Sequence, residues 1–226
     1  MKLTFYGHAC LGVQTQGKQL LFDPFITQNK AAAHIDIEEI HADYILLTHA
    51  HFDHVADVSK IGKRCESTII SNYEICMHYE KKGFKYHPMN HGGKAHFDFG
   101  TVKMVNAVHT SSFHDGNYGG NPAGFVLWND EICFYNAGDT ALTLDMKLIP
   151  MTCPKLDFAI LPIGDNFTMG YEDAAIAAEF IEADKVVGIH YDTFGFIEID
   201  KNAAIKAFKD KGKELFLLPI GESIEF

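Results

Sequence analysis

The chain has 226 residues, of which 47% are hydrophobic, and it carries a formal net charge of -11. This length and composition suit one large α/β or β-sandwich domain, and we expect residues 1–226 to form it. The acidic balance and the lack of a lysine- or arginine-rich run argue against a nucleic-acid partner, because phosphate neutralisation needs clustered cations.

The five cysteines are scattered, odd in number and without a C-x-x-C pair, which argues against a disulfide framework and against a thiolate zinc site. The first residues lack a long apolar segment, and nowhere do about 18 apolar residues follow one another. We therefore expect a soluble cytoplasmic protein with reduced cysteines, no export signal and no membrane span.

Short strands separated by glycine-containing turns open the chain. Segments 3–6, 10–15 and 19–22 are rich in aromatic, β-branched and aliphatic residues and predict an antiparallel meander. The meander ends at Asp23, because the proline that follows cannot continue a central strand. At that strand end, Asp23 is a candidate to orient the imidazole of a nearby metal ligand.

An apolar strand predicted over 44–48 then leads directly into His49, His51, Asp53 and His54. His49 and His51 are two residues apart and project to one side of an extended backbone, whereas the other two lie where the chain turns into a helix. A lone histidine is more often a surface or core residue, but this H-x-H-x-D-H cluster after an apolar strand indicates metal binding. Two sets of ligands can therefore face two neighbouring metals.

The rest of the chain alternates between helix and strand, which is typical of an α/β fold. We predict helices over 55–61, where Gly62 would end the helix, and over 73–82, 142–149, 172–183 and 200–211. We predict strands over 67–71, 84–87, 101–108, 123–128, 131–136, 157–162, 186–189 and 214–218. The order meander, α/β, meander, α/β indicates two similar halves folded face to face.

Three further candidate ligands stand at or just beyond the ends of predicted strands: His109, Asp139 and His190. A G-D-T sequence such as the one around Asp139 is more often a turn, but its position after a strand repeats that of the other ligands. A second group of histidines lies in a glycine-rich stretch without fixed geometry, and we expect it at the surface: His87, His91 and His96.

This ordered set of strand-end residues resembles the metallo-β-lactamase superfamily, over essentially the whole chain. The resemblance implies a four-layer αββα sandwich with metal ligands on loops along one edge. Segments 7–9, 23–25, 162–170 and 190–194 look like a bacterial and archaeal branch of metal-dependent hydrolases. That branch is similar to the ascorbate-phosphate lactonases and the N-acylphosphatidylethanolamine phospholipases D, both of which hydrolyse phosphorylated compounds.

The resemblance implies three ligands for each of two metals and one bridging carboxylate: His49, His51 and His109; Asp53, His54 and His190; and Asp139 as the bridge. Imidazole and carboxylate ligands suit zinc, with manganese, iron or nickel as alternatives, since no thiolate is present to favour zinc. True β-lactamases of the superfamily often have a cysteine near the position of Asp139, so its absence argues against that activity.

Two divalent metals roughly 3.5–4 Å apart can share a water, lower its pKa and stabilise the charge that develops as hydroxide attacks. In that mechanism Asp53 binds the second metal and orients the hydroxide. One of three further side chains protonates the leaving group or binds the oxyanion: His8, His114 or Tyr191. Each also has a structural interpretation, because His8 could simply pack beside the site, His114 could lie in a rim loop and Tyr191 could point into the core.

Taken together, these residues predict a metal-dependent hydrolase of a small ester, phosphodiester or phosphorylated lactone. An iron-dependent oxidoreductase or dioxygenase of the same fold is the alternative, as is an RNA-processing nuclease, which the acidic composition disfavours. Purely structural metals are disfavoured because structural zinc sites are closed and usually rich in cysteine. We expect a small-molecule substrate and allow for a homo-oligomer with Phe194 and Phe196 at the contact.

Overall fold

Two seven-stranded sheets form the centre of the structure, a computed structural model that describes residues 1–226. The strands are β1 Lys2–Gly7, β2 Cys10–Thr15, β3 Lys18–Phe22, β4 Tyr44–Leu46, β5 Thr68–Asn72, β6 Lys85–Met89, β7 Lys94–Phe97, β8 Gly100–Asn106, β9 Ala123–Trp128, β10 Cys133–Asn136, β11 Phe158–Pro162, β12 Lys185–Ile189, β13 Glu214–Phe216 and β14 Ser223–Glu225. The helices are α1 Phe52–Val55, α2 Val58–Cys65, α3 Tyr73–Glu80, α4 Leu148–Thr152, α5 Tyr171–Phe180 and α6 Lys201–Asp210. None of the helices is both long and apolar enough to cross a membrane.

The two sheets have the same arrangement of parallel and antiparallel strands. The first has the order β14-β1-β2-β3-β4-β5-β6 and the second the order β13-β12-β11-β10-β9-β8-β7. Strands β3 to β6 are parallel in the first sheet, and β10 to β13 are parallel in the second. The carboxyl ends of parallel strands share one edge of a sheet, so the loops that follow them are brought together.

Three hydrophobic clusters separate four layers. The central strands are buried on both faces, so successive residues enter different clusters: Leu46 packs between the sheets, while Ile45 and Leu47 pack under α2 and α3. In the second sheet Ile160 packs between the sheets, and its neighbours Ala159 and Leu161 face the cluster beneath α5 and α6. The predicted αββα sandwich is therefore confirmed.

Gly62 does not end a helix as predicted. It lies inside α2, which continues to Cys65 and ends with Glu66 in the left-handed conformation. A Cβ atom on Gly62 would stand 2.8 Å from Phe84 Cε1 and 3.2 Å from Ile45 Cδ1. This glycine therefore allows the helix to approach the sheet closely. The sequence alone does not distinguish a glycine in this role from one that ends a helix.

The predicted helix over 142–149 is also wrong in its boundaries. A 3-10 turn covers Leu144–Lys147, and α4 begins only at Leu148. Pro150 stands in the first turn of α4, where its missing N–H is tolerated, whereas inside a longer helix it would break the backbone pattern. Two short edge strands, β7 and β14, were not predicted at all.

Candidate metal centre

The loop after β4 is fixed to the sheet by one buried carboxylate. Asp23 accepts hydrogen bonds from the Thr48 backbone N–H at 2.8 Å and from the Thr48 hydroxyl at 2.6 Å. The same carboxylate accepts a hydrogen bond from His54 Nδ1 at 2.9 Å. The sequence-based expectation that Asp23 orients an imidazole agrees with this contact, although its partnership with Thr48 was not predicted.

These hydrogen bonds determine which ring nitrogens carry protons. An ionised carboxylate only accepts, so His54 is protonated on Nδ1 and presents the lone pair of Nε2 to the site. The Thr48 hydroxyl donates to Asp23 and accepts from His49 Nδ1, 3.0 Å away, so His49 likewise presents Nε2. Asp23 therefore orients two imidazoles, one directly and one through Thr48.

Three groups of candidate ligand atoms have all their atoms within 4.8 Å of one another. One is formed by Asp23 with the two imidazoles that it orients, His49 and His54, and the other two do not include Asp23. Of these two, the first group comprises His49, His51 and His109. The second comprises His8, Asp53, His54 and His190. The predicted ligands of the first metal lie in one of these groups and those of the second metal in the other, which also contains His8.

Asp139 lies between the two groups on the loop after β10. Its Oδ2 atom is 3.0 Å from His190 Nε2 and 3.3 Å from His54 Nε2 in the second group. The same oxygen is 3.6 Å from His109 Nε2 and 3.9 Å from His49 Nε2 in the first group. One carboxylate oxygen thus faces four imidazole nitrogens from both groups.

The chemistry of these donors fits divalent cations. His54 Nε2 and Asp139 Oδ1, both in the candidate donor set, are buried without a hydrogen-bond partner, which is costly unless another group satisfies them. Burial lowers the pKa of His54, but the charges of Asp139 and Asp23 outweigh it and raise that pKa well above its usual value, so the negative charge around Nε2 favours a proton there or, in its place, a cation. Burial lowers the pKa of His49 well below its usual value, so that ring is a neutral donor. Nitrogen and oxygen donors of this kind suit zinc, manganese, iron and nickel.

His8 contacts Asp53 rather than the cavity. It occupies the turn between β1 and β2 with a φ of 57°, and its Nε2 donates to Asp53 Oδ2 at 2.9 Å while its Nδ1 lies 2.9 Å from the Thr193 hydroxyl. Burial and the neighbouring His190 lower the pKa of His8 to about 4. Burial acts to raise the pKa of Asp53, but the hydrogen bond from His8 and the charge of His54 outweigh it and lower that pKa.

Two of the predicted catalytic side chains lie elsewhere. Tyr191 packs in the core cluster beneath α5 and α6, and burial raises the pKa of its hydroxyl to about 12. His114 is exposed on a rim loop, where its ring lies 5.4 Å from that of Phe52. Neither lines the cavity over the histidines, so the structure does not bring them to the reacting position. Of the three histidines expected at the surface, His96 is exposed, whereas His87 and His91 are half-buried, and the three form no cluster with metal-binding geometry.

A cavity of about 560 Å³ opens over the candidate ligands. Six polar side chains form its inner part: His51, Asp53, His109, Thr110, Asp139 and His190. Four phenylalanines line the remainder and are called the aromatic wall below: Phe52, Phe167, Phe194 and Phe196. The sequence offered no motif for Phe52 or Phe167 as lining residues, and Phe194 and Phe196 had been expected at a contact between subunits.

This fold and this edge of clustered histidines and aspartates define the metallo-hydrolase class within the β-lactamase superfamily. The family model described as "Beta-lactamase superfamily domain" matches residues 2–190 of the chain. The solved structure of a novel metallo hydrolase from the hyperthermophilic archaeon Ignicoccus hospitalis is 30% identical, with a TM-score of 0.87. That match covers 100% of this chain and 98% of the other.

Two relatives identify the family within this superfamily more specifically. A UPF0173 metal-dependent hydrolase from Flavobacterium johnsoniae is 63% identical over 225 residues, with 100% of both chains covered. Another, from Christiangramia forsetii, is 60% identical over 226 residues, again with 100% of both chains covered. The chain belongs to the UPF0173 metal-dependent hydrolases, and the resemblance seen in its sequence is confirmed.

Proposed function

We propose that the chain is a dinuclear metal hydrolase that uses water to cleave a small ester, phosphodiester or lactone. The observation that carries the proposal is the position of Asp139 Oδ2, within 3.9 Å of imidazole nitrogens from both ligand groups. A carboxylate placed in this way suits a bridge between two cations. His49, His51 and His109 would hold one metal, and Asp53, His54 and His190 the other.

When bound, two divalent metals lower the pKa of a water molecule and polarise the carbonyl or phosphoryl oxygen under attack. Asp53 lines the cavity with a quarter of its side chain exposed, whereas Asp139 is buried. Asp53 is thus positioned to orient the attacking water, to accept its proton and to deliver that proton to the leaving group. His8 is a positioning residue, because it acts on Asp53 and does not reach the cavity.

Zinc is the metal we propose, with manganese, iron and nickel as alternatives that the same donors accept. The cavity contains no lysine or arginine, which disfavours the RNA-nuclease alternative because a polynucleotide backbone needs cations along its path. All five cysteines are free thiols, in keeping with the reducing cytoplasm that we propose as the location.

The test combines metal content with turnover. Protein purified without added metal would be examined by elemental analysis, and assayed with p-nitrophenyl acetate and bis(p-nitrophenyl) phosphate before and after chelation. We expect about two metals per chain and turnover that chelation abolishes and metal restores. His109→Ala should lose turnover, while His41→Ala, which removes an exposed histidine outside the site, should retain it.

Two results would contradict the proposal. Protein with both metals bound that hydrolyses no ester, lactone or phosphodiester is not the hydrolase proposed. A single redox-active iron per chain, with oxygen consumption in place of hydrolysis, would support the oxidoreductase alternative.

A further inference from the structure

We propose that the substrate is a neutral carboxylic ester or lactone whose non-reacting part is aromatic or bulky and aliphatic, held against the aromatic wall. This inference rests on the proposed hydrolase function and narrows its substrate class. It excludes substrates that carry a phosphate away from the reacting bond.

The aromatic wall is exposed to an unusual degree for phenylalanine. The exposed fractions are 42% for Phe52, 49% for Phe167, 39% for Phe194 and 77% for Phe196. Four such side chains from three separate segments converge on one cavity, directly beside the candidate metal ligands. Exposed apolar surface gathered in a concave site is typical of ligand binding, because the ligand removes it from water.

The ring contacts give the aromatic wall a defined shape. The buried ring of Phe25 lies 6.0 Å from that of Phe52 and 6.4 Å from that of Phe194, so it supports both from behind. The rings of Phe167 and Phe196 are 6.2 Å apart in an edge-to-face arrangement. These spacings are those of favourable aromatic pairs, so the wall is organised before a ligand arrives.

The loops that carry the wall are also held in place. The Asp192 carboxylate accepts a hydrogen bond from the Ile199 N–H at 3.1 Å and pairs with Lys201 at 2.9 Å, which closes the loop around Phe194 and Phe196. Phe167 lies in a loop whose ends are joined by a bridge between Gly164 and Gly170. Three of the four rings therefore belong to anchored loops and the fourth, Phe52, begins helix α1, which favours a specific role in binding over chance exposure.

The charges around the cavity exclude a second anionic group on the substrate. Recognition of phosphate in proteins relies on lysine, arginine or helix N-termini. No lysine or arginine lines the cavity, and the helix that begins there, α1, has only four residues. Metals held by the ligands would serve the reacting oxygen only. A phosphate elsewhere on the substrate would face phenylalanine rings and the Asp53 carboxylate, so it would be desolvated without a partner.

The reaction on such a substrate is a balanced hydrolysis. Water supplies a hydroxide to the carbonyl carbon, and the bond between that carbon and the leaving oxygen breaks. The leaving oxygen takes the remaining water proton through Asp53, so the products are a carboxylic acid and an alcohol, or a hydroxy acid from a lactone. The acyl or alkoxy group that contacts the wall is unchanged.

The decisive experiment compares three methyl esters that share a leaving group: methyl phenylacetate, methyl acetate and methyl phosphonoacetate. With metal-loaded protein, we expect kcat/KM for the phenylacetate to exceed that for the acetate by about tenfold or more, since apolar contacts of this size give discrimination of that order. The phosphonoacetate should be the poorest of the three. Phe167→Ala and Phe196→Ala should each reduce the phenylacetate to acetate ratio by about threefold or more.

Two controls separate this inference from the function on which it rests. Tyr73→Ala removes an exposed aromatic side chain that does not line the cavity, and should leave the ratio unchanged. Calorimetry can compare the affinities of phenylacetohydroxamic acid and acetohydroxamic acid, and this measures the contribution of the aromatic wall to binding without turnover. We expect the phenyl compound to bind more tightly, and Phe196→Ala should reduce that preference as well.

The outcomes are distinguishable. If no carboxylic ester, lactone or phosphodiester is cleaved with both metals bound, the hydrolase proposal fails. If only bis(p-nitrophenyl) phosphate is cleaved, the hydrolase proposal stands and the substrate class proposed here is wrong. If esters are cleaved but the phosphonoacetate is preferred, or both phenylalanine variants keep the wild-type ratio, the hydrolase proposal stands and the substrate class proposed here is wrong.

Discussion

The two sides of the cavity are built in different ways. The histidine–aspartate cluster comprises His49, His51, Asp53, His54, His109, Asp139 and His190, most of them buried and placed by the ends of central strands. The aromatic wall is exposed, and three of its four residues lie on loops, whereas Phe52 begins helix α1. The strand ends position the residues that would carry out the reaction, and the loops determine which substrates can bind beside them. This arrangement is expected when a rigid scaffold presents functional loops. Damage to the cluster should therefore abolish function, and damage to the wall should alter preference.

The largest effect is expected at Asp139. Asp139→Ala removes the carboxylate that faces both ligand groups, so we expect metal content to fall below two per chain. We expect kcat/KM to fall by more than about 100-fold, a larger loss than is typical when a residue that only supports a metal ligand is replaced. Metal analysis and ester kinetics on the same preparation test this. Because Asp139 lies in the loop after β10 and not in a strand, the circular dichroism spectrum of the variant should match that of the wild type. A variant that retains both metals and full activity would contradict the bridging role.

The second-largest effect is expected at Asp23, which orients two imidazoles of the cluster. Asp23→Asn cannot accept all three of the hydrogen bonds that Asp23 accepts, so the rings of His54 and His49 lose their orientation. Metal affinity should fall by about 10- to 100-fold, measured by competition with a chromophoric chelator.

Asp57→Asn is the matched control for that variant. Asp57 is also a buried carboxylate, but it accepts from the N–H groups of Ile26 and Thr27 and from the Thr27 hydroxyl. Its replacement should lower the melting temperature and leave metal affinity unchanged. Equal losses of affinity in the two variants would mean that Asp23 acts through stability alone.

Sequence reasoning found the cluster because most of its information is local. His49, His51, Asp53 and His54 are nearly consecutive, and each of the other candidate ligands follows a predicted apolar strand. The same reasoning could not find Thr48 as the link between Asp23 and His49, since that contact depends on the register of two parallel strands.

Adjacency in sequence was misleading near His190. Tyr191 and His190 are neighbours, yet the side chain of His190 faces Asp139 while that of Tyr191 packs in the core, and the backbone at His190 has a φ of 58°. The aromatic wall gave no signal at all, because Phe167 and Phe196 lie in loops without a repeating pattern. Their convergence depends on the fold of three segments, which propensity and periodicity do not describe.

A moderate effect is expected at His8, which lies in the turn between β1 and β2 and contacts Asp53 of the second ligand group. His8→Leu removes the hydrogen bond that holds Asp53, so the second metal should bind about tenfold more weakly while the first remains. Dialysis followed by elemental analysis should then give a stoichiometry nearer one. Thr193→Val removes only the outer hydrogen bond to His8 and should have a smaller effect. Loss of both metals to the same extent in His8→Leu would contradict separate sites.

The smallest effect is expected behind the aromatic wall. Phe25→Leu keeps an apolar side chain but removes the ring that supports Phe52 and Phe194, so the wall should lose order without losing its surface. We expect metal content to be unchanged, KM for methyl phenylacetate to rise by about two- to threefold, and stability to fall by about 1 kcal/mol, as for other buried substitutions of similar volume. Phe158→Leu, in the core between the sheets, should lose comparable stability with no change in KM. A rise in KM for both variants would attribute the effect to general loosening, whereas a rise for Phe25→Leu alone would show that specificity depends on a buried ring that never touches the substrate.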